Sequence, residues 1–434
     1  MTMQEMNRRN FLKTSAAVSL GAIASQLNSR VYAAGDDKIR IGVIGCGGRG
    51  MDAVRDCVQA SPSIELVAIA DVFQDHIDKA VKDFKDGDVD RKREPLKDAF
   101  NVQPEMCFTG FDAYQKLLAT DVDLVLLTAP PYTRPAHLKA AVEAGKHVFM
   151  EKPAGVDPVG IRSVLESGEL AEQKKLAVVA GTQRRHQKHY IELMNRVHDG
   201  DIGELVSGQC YWNGGDMLGY WRYFKRENMP NDMEWQLRNW PWFLWTSGDH
   251  IVEQHVHNID VINWAFGTHP VKAMGMGGRA VRKNGNIYDH FAVEFEYANG
   301  ARILSMCRQM PSCSERVSEN VVGTQGSCYT DGNSGRIKGK NAYDYDGQSP
   351  NPYVEEHVDL IKSIREGKPL NEVKQVAEST LTGIMGRISA YTGRELSWDW
   401  AMKGSKLDLM PAKLDFTGEL PAEPVAMPGK TQLI

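Results

Sequence analysis

The chain has 434 residues, of which 42% are hydrophobic and 25% charged, and a formal net charge of −5. That length supports more than one domain with a sizeable core, and the near balance of charge excludes the basic footprint of a nucleic-acid binder. The seven cysteines include no CxxC pair, so the spacing suggests neither a zinc ribbon nor a disulfide framework.

The N-terminal residues read as a targeting segment. Arg8-Arg9 with Phe11-Leu12-Lys13 precede a modest apolar region at 16–27, and Val31-Tyr32-Ala33 offers small residues for cleavage near Ala33. Twin arginines in this setting look like a Tat signal, which exports folded proteins. Residues 1–33 are therefore expected to be removed, leaving a periplasmic protein. The apolar run is too short and too rich in Ser, Gly and Ala for stable membrane insertion.

Residues 38–71 organise the rest of the chain. Ile39, Ile41, Val43 and Ile44 predict a buried strand. Gly45, Gly47 and Gly50 come next in the spacing G-x-G-x-x-G, then a helical run at 51–60 and a second strand at 64–70 that ends on Asp71. Gly45 permits a tight turn, Gly47 lets backbone approach a pyrophosphate, and Gly50 lets helix pack on strand. The free N–H groups of the helix start favour the phosphates. An acidic residue about 20 positions past the glycines accepts from ribose hydroxyls and repels a 2′-phosphate, which favours NAD over NADP.

Strand and helix then alternate. Helices are expected at 75–84, 111–118, 137–144 and 158–173, and strands at 105–110, 122–128, 148–150 and 176–180. The charged run 82–97 reads as a solvated loop or helix face. Pro130-Pro131 and Glu151-Lys152-Pro153 close two strands at the carboxyl edge, where open α/β sheets bind ligands. The alternation predicts a doubly wound parallel sheet, a Rossmann domain at 38–155 with 156–185 completing its sheet.

The glycine loop, Pro130-Pro131, Glu151-Lys152-Pro153 and the later His257-Asn258-Ile259-Asp260 resemble the Gfo/Idh/MocA oxidoreductases over nearly the whole of 38–399. The resemblance implies a C-terminal α+β domain with an open, mostly antiparallel sheet (186–400), a tightly held nicotinamide cofactor, and chemistry at a carbinol carbon of sugars, inositols and related polyols. It implies subunit contacts through that sheet. It places Lys152 beside the reacting hydroxyl and makes His257 the catalytic histidine. NAD is expected to contact Gly45, Gly47, Gly48, Arg49, Gly50, Asp71, Ala129, Pro130, His137, Glu151, Lys152 and Gln183.

The chemistry also follows from residue types. Hydride loss from an alcohol needs a base for the hydroxyl proton and a cation for the developing alkoxide. Residues 248–264 read as one helix on which His250, Glu253 and His257 share a face. His257 is assigned as general acid/base and Glu253 as its orienting carboxylate, although the family has Asp at the position of Glu253. His250, Glu253 and His257 also leave a metal site open as an alternative.

Between these motifs, Trp212, Trp221, Trp235, Trp240, Trp242 and Trp245 crowd into 211–248 with Tyr220, Tyr223, Arg222 and Arg238. Such aromatic density reads as a sugar platform, a mini-core or a subunit interface. Arg184, Trp221, Arg238, Trp242 and His255 are the expected substrate contacts. The remainder predicts strands at 206–212, 271–278, 290–297, 301–309, 316–323 and 326–329, helices at 352–366 and 371–390, and an irregular tail from 401 to 434. The reading is an exported NAD-dependent dehydrogenase of a sugar or glycoside, acting at a ring secondary hydroxyl such as C3. Two alternatives stand beside it. One is an NAD-dependent glycoside hydrolase that oxidises C3 transiently and uses Glu253, His255 or Tyr190 as a further base. The other is a non-catalytic sugar-binding protein.

Overall fold

A computed structural model describes residues 38–434 except 90 and 220. The expected signal segment 1–33 and Tyr220 lie outside the described residues. Strand β1, Ile39–Ile44, is buried along nearly its whole length, as expected where helices cover both faces of a sheet. It lies between β2 (Ile64–Asp71) and β4 (Leu124–Leu127). β3 (Cys107–Thr109) extends one side; β5 (His147–Met150) and β6 (Val178–Ala180) extend the other. Every pairing is parallel and the order is 3-2-1-4-5-6. The order reverses between β1 and β4, which opens a crevice at the carboxyl edge.

Helix Gly48–Ala60 starts from Gly47 without a side-chain cap, so its first N–H groups remain available to a ligand. Helix Pro158–Gln173 keeps its predicted bounds because Asp157 accepts from the Gly160 N–H and proline occupies its first position. The charged run is less solvated than expected: Asp83 is buried and paired with Arg55 and Arg93.

The second sheet has nine strands. In chain order they are β7 (Leu205–Gly214), β8 (Lys272–Gly278), β9 (His290–Glu296), β10 (Arg302–Gln309), β11 (Arg316–Gly323), β12 (Gly326–Asp331), β13 (Gly335–Gly339), β14 (Tyr343–Asp344) and β15 (Leu396–Ser397). Their spatial order is 14-13-12-11-7-10-9-8-15. Only β7 and β10 pair in parallel; the other neighbours are antiparallel. Helices Val256–Phe266 and Val373–Thr392 cover one face. The other face carries exposed Met274, Met276 and Leu304. β13 to β15 are too short to be legible in the sequence, and helix Lys188–His198 was missed although Tyr190, Leu193, Met194 and Val197 recur at helical spacing.

Two features depart from the chain-order reading. Helix Pro352–Arg365, placed by sequence in the second domain, packs on helix Gly48–Ala60 of the first. The predicted helix 248–264 is broken into His250–Glu253 and Val256–Phe266. Both Gln254 and His255 donate their N–H to the His250 carbonyl, and the His257 N–H goes to Gln254. This local widening takes the Glu253 carbonyl out of the helical ladder.

Candidate active site

A cavity of about 680 Å³ runs along the carboxyl edge of the first sheet. The glycine loop forms one wall. Gly45 has φ +102°, and a Cβ there would sit 2.4 Å from the Ala129 nitrogen. A Cβ on Gly50 would sit 1.9 Å from the Gly45 carbonyl oxygen, whereas one on Gly47 would meet nothing within 4 Å. The loop is therefore closed behind and open toward the cavity, the shape that admits a pyrophosphate. Asp71 ends β2 at the same wall. Its carboxylate accepts from the Cys46 N–H at 2.7 Å and the Phe73 N–H at 2.9 Å, and the His76 imidazole lies 3.2 Å away. Burial pulls the His76 pKa down, but the bond to Asp71 and the charges of Asp71 and Asp75 outweigh it and raise it overall. Sequence reading did not find His76, because a lone histidine on a charged helix carries no signal.

Gly48, Arg49, Ala129, Pro130, His137, Glu151, Lys152 and Gln183 line the same cavity. Arg49 is clamped by three carboxylates, Asp56 at 2.8 Å, Glu356 at 2.9 Å and Glu151, with the Tyr353 ring 5.0 Å from its guanidinium. Arg134 donates to the carbonyls of Leu127 and Ala129 and so fixes the turn after β4. His137 stacks on Tyr114 with centroids 4.3 Å apart. Burial, helped by the charge of Arg134, lowers its pKa to about 3.

Lys152 and His257 reach one end of this cavity together with Glu253. The Lys152 ammonium donates to the Glu253 carbonyl at 2.6 Å and to its carboxylate at 2.9 Å. The first bond exists because the broken helix frees that carbonyl. The His257 ring is stacked on Trp212, 5.8 Å away at 23°, and its Nδ1 is buried without a partner. Burial, then the charges of Lys152, Arg184 and Arg49, hold its pKa well below the ordinary value. The imidazole is therefore neutral near pH 7 and can accept a proton. Glu253 holds Lys152, where sequence reading expected it to orient His257.

The expected substrate contacts divide. Trp221 lines the cavity, with Trp240 beside it. Trp242 is buried against Tyr223 in the mini-core beneath the loop. Arg238 is taken up by Asp75 and Glu234 and lies over the Phe73 ring at 4.0 Å. Arg184 is buried in an ion pair with Glu319 at 2.6 Å. His255 is buried with Nε2 on Ser305 at 2.7 Å, and Tyr190 is buried with its hydroxyl on Glu319 at 3.0 Å. Trp242, Arg238, Arg184, His255 and Tyr190 are each taken up by packing or internal pairing and none of them lines the cavity, so the structure corrects their expected place at the substrate; Trp221 keeps its place.

Glu319 was missed, since one glutamate within a strand has no signature. It accepts from Arg184, Asn258, Tyr190 and Thr330 and so ties β11 and β12 to the helix that carries His257. The metal alternative fails on geometry. His250 turns its Nδ1 to Asp249 at 2.9 Å, and no group of three or more His, Cys, Asp or Glu among the described residues is placed to hold a metal ion. No described helix is long and apolar enough to cross a membrane.

Parallel sheet, glycine cradle and Asp71 at the end of β2 together define a dinucleotide-binding site. A family model for the "Oxidoreductase family, NAD-binding Rossmann fold" matches residues 39–182, and one for the "GFO/IDH/MocA C-terminal domain" matches 190–329. The chain belongs to the Gfo/Idh/MocA family. It is similar to an inositol 2-dehydrogenase of Klebsiella pneumoniae, 27% identical over 226 residues, which is 52% of this chain and 54% of that protein. The chain thus spans about half the length of the first curated relatives it matches. Among solved structures it resembles the aldose-aldose oxidoreductase of Caulobacter crescentus complexed with glycerol (TM-score 0.63, 14% identity, covering 83% of this chain and 99% of that one). It also resembles GenD2 from gentamicin A biosynthesis in complex with NAD (TM-score 0.62, 16% identity, covering 83% and 96%). At these identities the structural likeness speaks for the fold.

Proposed function

We propose that the protein moves hydride between a secondary hydroxyl of a sugar, cyclitol or glycoside and a tightly held NAD, with a ring position such as C3 as the reacting carbon. The observation that carries this reading is the convergence of Lys152, Glu253 and His257 on the cavity that the glycine loop lines. When bound, NAD supplies the hydride acceptor or donor. Neutral His257 takes the hydroxyl proton as the carbon is oxidised. The Lys152 ammonium stabilises the developing alkoxide, and Glu253 holds that ammonium in place through both its oxygen contacts. Trp221 and Trp240 offer ring faces to the apolar C–H patches of a sugar. The kinship with inositol 2-dehydrogenases supports a cyclic polyol.

The test uses purified protein carrying its own cofactor. Cyclic polyols, free sugars, glycosides and keto-sugars are added while nicotinamide absorbance and aglycone release are followed. Reduced cofactor with an otherwise intact substrate is the expected result. If no polyol reduces the cofactor and no keto-sugar reoxidises it, the proposal fails.

Met274, Met276 and Leu304 are exposed on the outer face of the second sheet, with Glu294 between Met274 and Leu304. We propose that a second copy of the chain covers this face, since exposed apolar side chains gathered on one sheet face are a feature of association sites. A Met274→Lys/Met276→Lys double variant should sediment as a monomer where the natural chain sediments as an oligomer. A natural chain that is already monomeric would refute the association.

A further inference from the structure

The C-terminal tail lies beyond both family models, which end at residues 182 and 329. It nevertheless reaches the dinucleotide cavity: Met410 and Leu414 are part of the lining. The segment has no helix or strand of its own and is pinned at both ends. The Leu409 N–H donates to Asp157 at 2.9 Å, on the β5 side of the crevice. At the other end the Leu420 N–H donates to Asp232 at 3.0 Å, and Gln236 donates to the Leu420 carbonyl. Between these anchors the Phe416 ring packs on Phe111 at 4.8 Å and on Phe73 at 6.1 Å. Phe73 and Phe111 line the cavity just beyond the ends of β2 and β3, next to Asp71. The segment therefore crosses the mouth of the crevice, from the β5 side to the side where Asp71 ends β2.

We infer that residues 409–420 form a strap over the adenosine end of the bound dinucleotide, that Met410 and Leu414 contact it, and that opening of the strap sets the rate of cofactor release. A segment held by a few side chains and two end anchors opens more readily than the sheets beneath it. A closed strap adds apolar contact to one face of the ligand and blocks its exit. The inference rests on the dinucleotide site alone and is independent of the substrate proposed above.

Full-length protein is loaded with NADH, chased with a large excess of NAD⁺, and followed by loss of bound-NADH fluorescence. In Leu414→Asp and in Phe416→Ser, release should be about tenfold faster, the effect of losing roughly one buried side chain's worth of contact. The melting temperature of the cofactor-free protein serves as the control for folding. A change below about threefold in both folded variants would overturn the strap. A second measurement needs no variant. In the natural chain NADH should slow limited proteolysis within 409–420, and equal cleavage with and without NADH would overturn the inference as well. Failure of the natural chain to take up NADH would remove the site itself, an outcome distinct from fast release.

Discussion

Replacing Lys152 by methionine should lower turnover by about a hundredfold to a thousandfold, the usual scale for losing one donor to a developing oxyanion, while the cofactor stays bound. Methionine keeps much of the length and apolar stem of lysine but carries no charge and no donor. The Glu253 carbonyl and carboxylate, 2.6 and 2.9 Å from Nζ in the natural protein, lose their shared partner. The glycine loop and Asp71 lie elsewhere on the cavity wall and are untouched by the change. Removing the cation also relieves one of the charges that depress the basicity of His257, so the acid limb of the pH–rate profile should move to higher pH in whatever activity survives. Steady-state kinetics and the cofactor stoichiometry of the purified variant measure both effects. Unaltered turnover would take Lys152 out of the mechanism.

Acid should unfold the protein steeply below pH 6.5. Burial is the largest cause that lowers the pKa of His137 to about 3, of His147 to about 4 and of His255 to about 3. His257 and His357 are pushed well below their ordinary value by the same cause, with nearby cations adding to it. In the unfolded chain these imidazoles take up protons near pH 6.5, whereas the folded chain keeps them neutral. The unfolded state then binds more protons, so stability falls as pH falls. The loss starts near 6.5 and continues to about 4 for His147 and about 3 for His137 and His255. Each such histidine contributes about 1.4 kcal/mol per pH unit, so three of them contribute about 4 kcal/mol per unit. That compares with a total stability on the order of 10 kcal/mol for a typical domain. His186 acts in the opposite sense. Burial opposes its charge, but Glu372 and Asp359 outweigh burial and raise its pKa to about 10. Its contribution is complete below pH 6.5 and is lost only as pH rises toward 10. Denaturant midpoints at pH 7, 6, 5 and 4 would show the effect. A flat profile over that range would mean that the buried histidines titrate as they do in water.

Much of the first domain could be read along the chain because its signals are local. The glycine spacing, the acid at the end of β2 and Asp157 before helix Pro158–Gln173 each act within a few residues or one βαβ unit. Backbone geometry therefore left few choices. The site was only partly legible, and particular residues show why. Lys152 and Glu253 are 101 positions apart, and their contact depends on a helix break at Gln254–His255 that an unbroken apolar period conceals. Trp221 and Trp242 look equivalent in sequence, yet one faces the cavity and the other fills a core, because loop packing decides which ring is covered.

Local order along the polymer was enough to establish the strand–glycine–helix–acid cradle and the Glu-Lys-Pro turn, since φ restrictions and side-chain periodicity operate between near neighbours. What meets what was decided by folding in three dimensions. Tyr353 and Glu356 reach Arg49 from some 300 positions away, Glu319 gathers donors from four segments, and the tail comes back over the mouth of the crevice. Burial and Coulomb energies depend on distance through space, which the order of residues in the chain does not encode locally.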